Sequence, residues 1–376
     1  LTDTVSMEAF YQLEWDQTVI DNCGTFFSPS DTAADGCDDR LVVSGADIAP
    51  DVSNNSGGPG NPMYIPRAGD RDARDSGQFG VALRWFAESL NDTEFGLYAM
   101  NYHSRSPMGS FTRTTTPSVF VVPGAPGANY FLEYPEDIRL YGLSFQTNVA
   151  GTALSGELSY RPNMPTAINS TDLTLGSLGL ANSPVFTSGH ARNVSGEKLA
   201  GYVRKPVTQA QISAVQFVDR VLGASRLTLV GEVGYNHVSG ISNDTGELRF
   251  GRDPVYGLGE VTPNTTCTGA FNTAKPGECN DDGFYTSSSW GYRMRASLDY
   301  NNVFAGVNLT PNVAWSHDVD GYGPNFIEGT KAISLGLNAD YKNTYTASLS
   351  YTDFFGGEYN TSIDRDFVAL SFGVNF

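Results

Sequence analysis

The stretch Phe367-Val368-Ala369-Leu370-Ser371-Phe372-Gly373-Val374-Asn375-Phe376 decides how the rest of the chain is read. Side chains of an extended strand point alternately to its two faces. Val368, Leu370, Phe372, Val374 and Phe376 therefore form one apolar row, and the residues between them form a small or polar row. A half-buried strand of a soluble protein carries the same alternation. The choice between a soluble sheet and a membrane sheet rests on how that row recurs upstream.

It recurs along the whole chain. Trp290, Tyr292, Met294, Ala296, Leu298 and Tyr300 alternate against Arg293, Arg295, Ser297 and Asp299, and after a turn at Asn301-Asn302 the row continues with Ala305, Val307, Leu309, Val313 and Trp315. Ile333, Leu335, Leu337 and Tyr341 precede a turn at Lys342-Asn343, and Tyr345, Ala347, Leu349 and Tyr351 follow it. Further strands are read over Val5 to Trp15, Phe79 to Trp85, Glu94 to His103, Ile138 to Thr147, Ala153 to Arg161, Ile212 to Leu222 and Arg226 to His237. The total is about twelve strands, each near the 9–11 residues that cross a bilayer at barrel tilt.

Connection lengths alternate. Short turns near 91, 151, 224, 302 and 343 interleave with long segments at 17–76, 105–135, 163–210 and 239–287 and shorter ones at 318–327 and 355–362. Transmembrane barrels have short periplasmic turns and long extracellular loops, and a soluble sandwich has no reason to keep this parity. The expected fold is thus all-β: a transmembrane antiparallel β-barrel, one domain over residues 1–376, in the bacterial outer membrane. No run reaches the roughly 18–20 apolar residues of a spanning helix.

Composition agrees. The chain is 40% hydrophobic with Gly 41, Tyr 19 and Phe 22, which suits strands that give only alternate residues to lipid. The net charge of -18 excludes a basic surface that tracks phosphates, so no nucleic-acid partner is expected. Acid clusters at Asp31 to Asp39, Asp47 to Asp51 and Asp281-Asp282. Loop solvation accounts for it better than divalent-cation bridging to lipopolysaccharide, and no spacing matches a calcium loop. No metal or cofactor is expected. The cysteines fall as two close pairs, Cys23/Cys37 and Cys267/Cys279. Local disulfides imply an oxidising compartment.

Residues opposite the apolar rows would line a lumen. Glu14, Arg139, Glu157, Arg161, Glu232, Arg293, Arg295 and Asp299 are the candidates for solute contact, or for salt-bridged ladders that hold the wall. An enzyme is not expected. His103 and Ser104 are adjacent on a strand and so point apart, while His237 and Ser239 share a face but lie at a strand end. Asn91-Asp92-Thr93, Asn169-Ser170-Thr171 and Asn308-Leu309-Thr310 match a glycosylation acceptor that means nothing in a bacterial barrel.

Longer stretches carry a family resemblance. Tyr134-Pro135-Glu136-Asp137-Ile138-Arg139-Leu140-Tyr141-Gly142-Leu143-Ser144-Phe145, Asp75 to Arg84, Leu90 to Tyr98 and Ser159 to Pro165 resemble recurring segments of a proteobacterial outer-membrane family, domain of unknown function number 1302. Members resemble barrels with an additional N-terminal portion. The expectation that follows is that this chain lacks that portion, and that a complete protein has about 12–16 strands. The resemblance implies passage of hydrophobic or lipid-like compounds, with a periplasmic lipid-binding-like partner and an inner-membrane exporter. The barrel assembly machinery would read the aromatic end, Phe372, Val374 and Phe376, as its signal. Outer-membrane lipids and lipopolysaccharide would surround the barrel, and a homo-oligomer is compatible with it. A general or substrate-specific diffusion porin and a structural barrel displaying surface loops are the alternatives. Non-reducing peptide mapping should recover Cys23–Cys37 and Cys267–Cys279, and a cross-pair such as Cys23 with Cys267 would refute the local scheme.

Overall fold

A computed structural model describes residues 2–28, 31–37, 39–44, 63–115, 127–242, 244, 246–260 and 279–375. Its elements begin with β1 (Val5–Gln12), β2 (Arg40–Ser44), β3 (Met63–Pro66), β4 (Gln78–Ala87), β5 (Thr93–Tyr102), β6 (Met108–Thr112), β7 (Asn129–Glu133), β8 (Ile138–Val149) and β9 (Thr152–Ala167). Two short helices follow, α1 (Ser170–Ser177) and α2 (Pro184–Thr187), then β10 (Lys198–Leu199), β11 (Tyr202–Asp219) and β12 (Arg226–Val238). The chain closes with β13 (Ser288–Phe304), β14 (Val307–Asp320), β15 (Lys331–Tyr341), β16 (Tyr345–Phe355) and β17 (Phe367–Val374).

The fold is all-β, built on one antiparallel sheet of twelve strands in the order β1-β4-β5-β8-β9-β11-β12-β13-β14-β15-β16-β17. These are the twelve strands read from the alternation. The missing numbers belong to strands inside the long connections, which pair among themselves as β10-β6-β7 and β2-β3.

Register makes the sheet two-faced. Leu83 pairs with Leu97, Leu97 with Leu143, and Leu143 with Leu158. On the other side of the sheet Val313 pairs with Leu335, Leu337 with Leu349, and Leu349 with Leu370. The row that closes the sequence is fully part of this: Phe372 is 78% exposed, Val368 67% and Leu370 63%. Phe376 lies outside the described residues. The opposite face reads Ser144, Glu157, Gln211 in one row and Asn312, Gly336, Ser350 in another.

Two boundaries differ from the sequence reading. The turn expected at Asn301-Asn302 lies at Ala305–Gly306, because β13 continues to Phe304 and the turn takes positive φ at Ala305 (50°) and Gly306 (87°). Asn302 instead shapes the irregular strand end, accepting from the Gly306 N–H through Oδ1 (3.0 Å). The segment 163–210 is also not all loop, since β9 runs on to Ala167 and β11 starts at Tyr202. Prolines hid this extension. Pro162 and Pro165 lie where β9 has lost β8 as a neighbour, which pairs only as far as Tyr160, and Pro206 sits in a bulge between Lys205 and Val207. Free edges and bulges are the places where a sheet tolerates proline.

The long connections fold together at one end of the sheet. Their core is Ile65, Phe111, Tyr130, Ile168, Leu173, Leu178, Val185, Leu199 and Phe250. Asn169, read above as part of an empty acceptor motif, caps α1: its Oδ1 accepts from Thr171 and Asp172, and its Nδ2 donates to the carbonyls of Gly251 and Arg252 (both 3.0 Å). The disulfide Cys23–Cys37 is present. Cys279 is also disulfide-bonded, while Cys267 lies outside the described residues. Near the first bridge, Arg365 donates to the carbonyls of Phe26 and Ser28, and Phe27 meets Phe367 edge-on at 5.7 Å. The connection after β1 thus meets the start of β17, although among the described residues no ladder joins β1 to β17.

The loop acids are not only solvated. Asp35, Asp39 and Asp70 surround the buried Arg67 guanidinium, with Asp70 at 2.5 Å, and the bond to Asp70 holds Arg67 above its ordinary pKa. Arg249 is buried against Asp172, 2.5 Å away, and also donates to the carbonyls of Leu258 and Glu260 and to Asp281. Asp47 to Asp51 lie outside the described residues. Removing one partner of a buried pair strands the other, so Asp172→Ala should destabilise the loop core by about 3–5 kcal/mol. Limited proteolysis should then cut within residues 170–260 first, with far-UV circular dichroism keeping its strand signal.

Candidate functional site

The polar face of the sheet collects most of the charged residues expected to line a lumen. Glu232 sits between Ser213 on β11 and Arg293 on β13, and Arg295 sits between Val230 and Ala314. Glu157 lies between Ser144 and Gln211. Arg161 reaches Ser159 Oγ (3.4 Å) and Gln209 Oε1 (3.5 Å). Asp299 faces Arg226 and accepts from Thr310 Oγ1 at 3.3 Å. Of these, Glu232, Arg293 and Arg295 come together, around a recess of about 340 Å³ whose apolar floor includes Val230, Ala314 and Ala332.

Two candidates lie elsewhere. Arg139 is on the apolar face, in register with Asn101 and on the same side as Tyr141 and Leu143. The apolar pair Ile138 and Leu140 obscured this, since both belong to the polar face, where Ile138 is buried and Leu140 pairs with Met100. Glu14 is exposed beyond the end of β1 at Gln12 and lines no wall of the sheet, because the alternation continues past the last ladder partner, Gln78.

A hairpin missed in the sequence lies over the polar face beside the recess. In the connection between β14 and β15, Tyr322 bridges to Ile327, and the Gly323 N–H donates to the Phe326 carbonyl at 2.9 Å. Phe326 is nearly buried. Its ring comes within 2.9 Å of where a side-chain carbon on either Gly234 or Gly291 would stand. These two glycines pair across β12 and β13, so they leave a slot one ring wide. Asp318 ties the hairpin to the wall. One carboxylate oxygen takes Arg293 Nη2 at 2.7 Å and the other takes the Ile327 N–H at 2.9 Å. Arg293 also lies 5.7 Å from the Phe326 ring centre, a cation–π contact. The signal available in the sequence was the cross-strand glycine pair on a face otherwise filled with polar side chains.

Between this hairpin and the loop core is a cavity of about 480 Å³, lined by Arg252, Asp253, Tyr285, Tyr322, Phe326 and Tyr359 among others. Burial and the nearby Glu328 push the Tyr322 hydroxyl up to about 12, and burial raises Asp253. Aromatic rings beside an arginine and two acids can hold an amphipathic solute by stacking and by its polar end.

At the loop end of β4, β5 and β8 Arg74, His103 and the motif residue Asp137 tie together. The Asp137 N–H donates to His103 Nδ1 (3.0 Å), so the ring proton sits on Nε2 and points to the Ser76 carbonyl (2.9 Å). Arg74 donates to Glu136 and, at 2.6 Å, to Asp137, whose carboxyl it holds below the usual range. His103 is thus engaged in backbone contacts on both nitrogens, and Ser104 donates instead to the Ser106 carbonyl at 2.7 Å. His237 approaches Ser288 Oγ at 3.3 Å.

The glycine slot gives a direct test. In Gly234→Val the new side chain must displace the Phe326 ring. The Gly323 and Ile327 amides should then exchange with deuterium faster, with the β12–β13 ladder unchanged. Unaltered protection at both amides would mean that the ring does not depend on the slot.

No curated protein matches this chain. Among solved structures, CdiB from Acinetobacter baumannii is similar at 13% identity and a TM-score of 0.32, over 78% of this chain and 46% of that one. This chain therefore spans less than half of that protein, and a likeness this slight decides nothing about fold or activity. Over residues 1–376 the sequence matches the family described as Protein of unknown function (DUF1302), and the chain belongs to that family.

Proposed function

We propose that the twelve-stranded sheet is the wall of a transmembrane β-barrel in a bacterial outer membrane, and that it passes apolar or amphipathic compounds along its polar face. The observation that carries this reading is the apolar face itself. It is continuous over twelve strands, and aliphatic rows such as Leu83, Leu97, Leu143 and Leu158 lie between aromatic ones. At the turn end stand the stacked pairs Trp85–Phe95 and Tyr341–Tyr345. At the loop end stand Tyr11, Phe79, Tyr141, Tyr160, Tyr235 and Trp290. From Phe79 to Trp85 is about 20 Å along the strand, close to the apolar band of outer-membrane barrels once tilt is allowed for. A soluble protein would have to cover so large a surface.

Parity puts the folded loops outside the cell and the short turns in the periplasm. The folded loops and the Phe326 hairpin over the polar face favour a narrow, lined path over a wide diffusion pore. The recess at Glu232, Arg293 and Arg295 would meet the polar end of a solute and its Val230–Ala314 floor the apolar part. Delivery from the periplasm by a lipid-binding-like protein, coupled to an inner-membrane exporter, fits a path of this kind.

The test compares the two faces. Leu337→Arg or Leu349→Arg places a charge in hydrocarbon and should cost roughly 2–4 kcal/mol, whereas Asn338→Arg or Ser348→Arg on the polar face should cost far less. Folding into lipid vesicles, followed by heat-modifiable gel mobility, measures both. Equal damage from both sets would mean that the sheet is buried on both faces. Large, salt-dependent conductance in planar bilayers would replace the conduit with a diffusion porin.

A further inference from the structure

The apolar face is not uniformly filled. Around β4, β5 and β8 the register sets three rows one above another. Trp85, Phe95 and Phe145 form the first, Leu83, Leu97 and Leu143 the second, and Val81, Ala99 and Tyr141 the third. Ala99 is the smallest member of its row. It leaves a hollow of about 410 Å³ between Val81 on one side and Tyr141 and Tyr160 on the other, floored toward the turn end by Leu97 and Leu143. The lining is almost wholly carbon.

One register step further toward the loop end are Asn101 and Arg139, paired across β5 and β8 on this same face. The backbone N–H of Arg139 donates to Asn163 Oδ1 (2.9 Å), while its side chain is exposed and makes no ion pair among the described residues. The neighbouring acids are already matched. Arg74 binds Glu136 and Asp137, and Asn101 Nδ2 donates to Asp137 Oδ1 at 3.0 Å. Arg204 donates to the carbonyls of Glu136 and Asn163. With Glu136 and Asp137 engaged by Arg74, the Arg139 guanidinium stands without an ion pair, among the described residues, at the mouth of an apolar hollow.

We propose that this hollow is a binding site for an outer-leaflet phosphorylated glycolipid of the lipid A type, with one acyl chain against Ala99 and a phosphate on Arg139. The inference rests on the membrane reading of the apolar face and adds to it a particular lipid at a particular place. The loop end of the sheet faces the outer leaflet in that reading, and Arg139 stands at the level of the aromatic ring row that ends the hydrocarbon. An arginine there, open toward the apolar side and without an ion pair among the described residues, is complementary to a phosphate at the membrane surface. A lipid without charge would gain nothing from it.

Two variants separate the parts of the site. Arg139→Gln removes the charge and leaves the hollow, whereas Ala99→Trp fills the hollow and leaves the charge. The protein folded in detergent is titrated with bis-phosphorylated lipid A, with its phosphate-free derivative and with phosphatidylethanolamine, and bound lipid is counted by native mass spectrometry. Lipid A should bind best to the unaltered protein. Arg139→Gln should weaken it roughly fivefold, the effect of one cation at a lipid surface, and bring it level with the phosphate-free derivative. Ala99→Trp should weaken both forms of lipid A. Equal retention in all three proteins, or no preference for phosphate in the unaltered one, overturns the site while leaving the barrel reading intact. Failure of the unaltered protein to enter vesicles at all overturns both readings.

Discussion

The agreement of register across eleven consecutive ladders is the constraint from which the rest follows. A slip of one residue anywhere would turn a strand's apolar row to the polar side. The irregularities lie near strand ends, at Lys205/Val207, Trp290/Gly291 and Tyr300/Phe304. Between them the rows run without interruption, so the apolar face works as a single surface and the polar face as another. Neither face alone could hold the sheet in water. The backbone ladders close every interior strand on both sides, and the outer edges of β1 and β17 carry no ladder among the described residues.

The polar face then sets the problem that the long loops solve. A sheet whose apolar rows are exposed has no core of its own to hold its connections. The loops therefore make one, with Phe111, Leu173 and Phe250 inside it and with the guanidinium groups of Arg249 and Arg252 gathering carbonyl oxygens from several segments. Arginine suits this role because five N–H donors fixed in one plane can satisfy several acceptors at once. The acidic excess of the chain is partly explained here, since Asp35, Asp39, Asp70, Asp172 and Asp281 each meet a guanidinium.

Legibility in the sequence divided along the same line. The twelve strands were readable because period-two alternation is a local property, and the charged residues Glu232, Arg293 and Arg295 were placed on one side by parity alone. Arg139 was misplaced because Ile138 and Leu140 carry apolar side chains on the polar face next to the true row. Glu14 was misplaced because alternation runs past the last ladder partner. The loop core was not readable, as its contacts join Ile65 to Leu173 and Asp172 to Arg249 over long separations with no period. Asn169 shows the limit well: the same three residues match a modification motif and a helix cap, and only the neighbouring backbone decides between them.

In the proposed conduit, a path along the polar face passes the hairpin at Phe326. The wall beneath it, β12 and β13, is tied by ladders on both sides of each strand and changes little without breaking register. The loop core is tied by buried ion pairs. The hairpin is held by one ring in a glycine slot, the Asp318 carboxylate, the Asn325 Nδ2 bond to Asn236 Oδ1 at 3.4 Å, and the Tyr322 backbone, whose carbonyl accepts from the Thr286 N–H (2.9 Å) and whose N–H donates to Thr286 Oγ1 (3.0 Å). Arg293 joins this element to the recess, since the guanidinium that binds Asp318 also stands beside Glu232 and Arg295. In the proposed conduit, an anionic group entering the recess would compete with Asp318 for that guanidinium and loosen one tie of the hairpin. Arg293 is the side chain that would link such occupancy to the seat of the Phe326 ring, since it contacts both Asp318 and that ring.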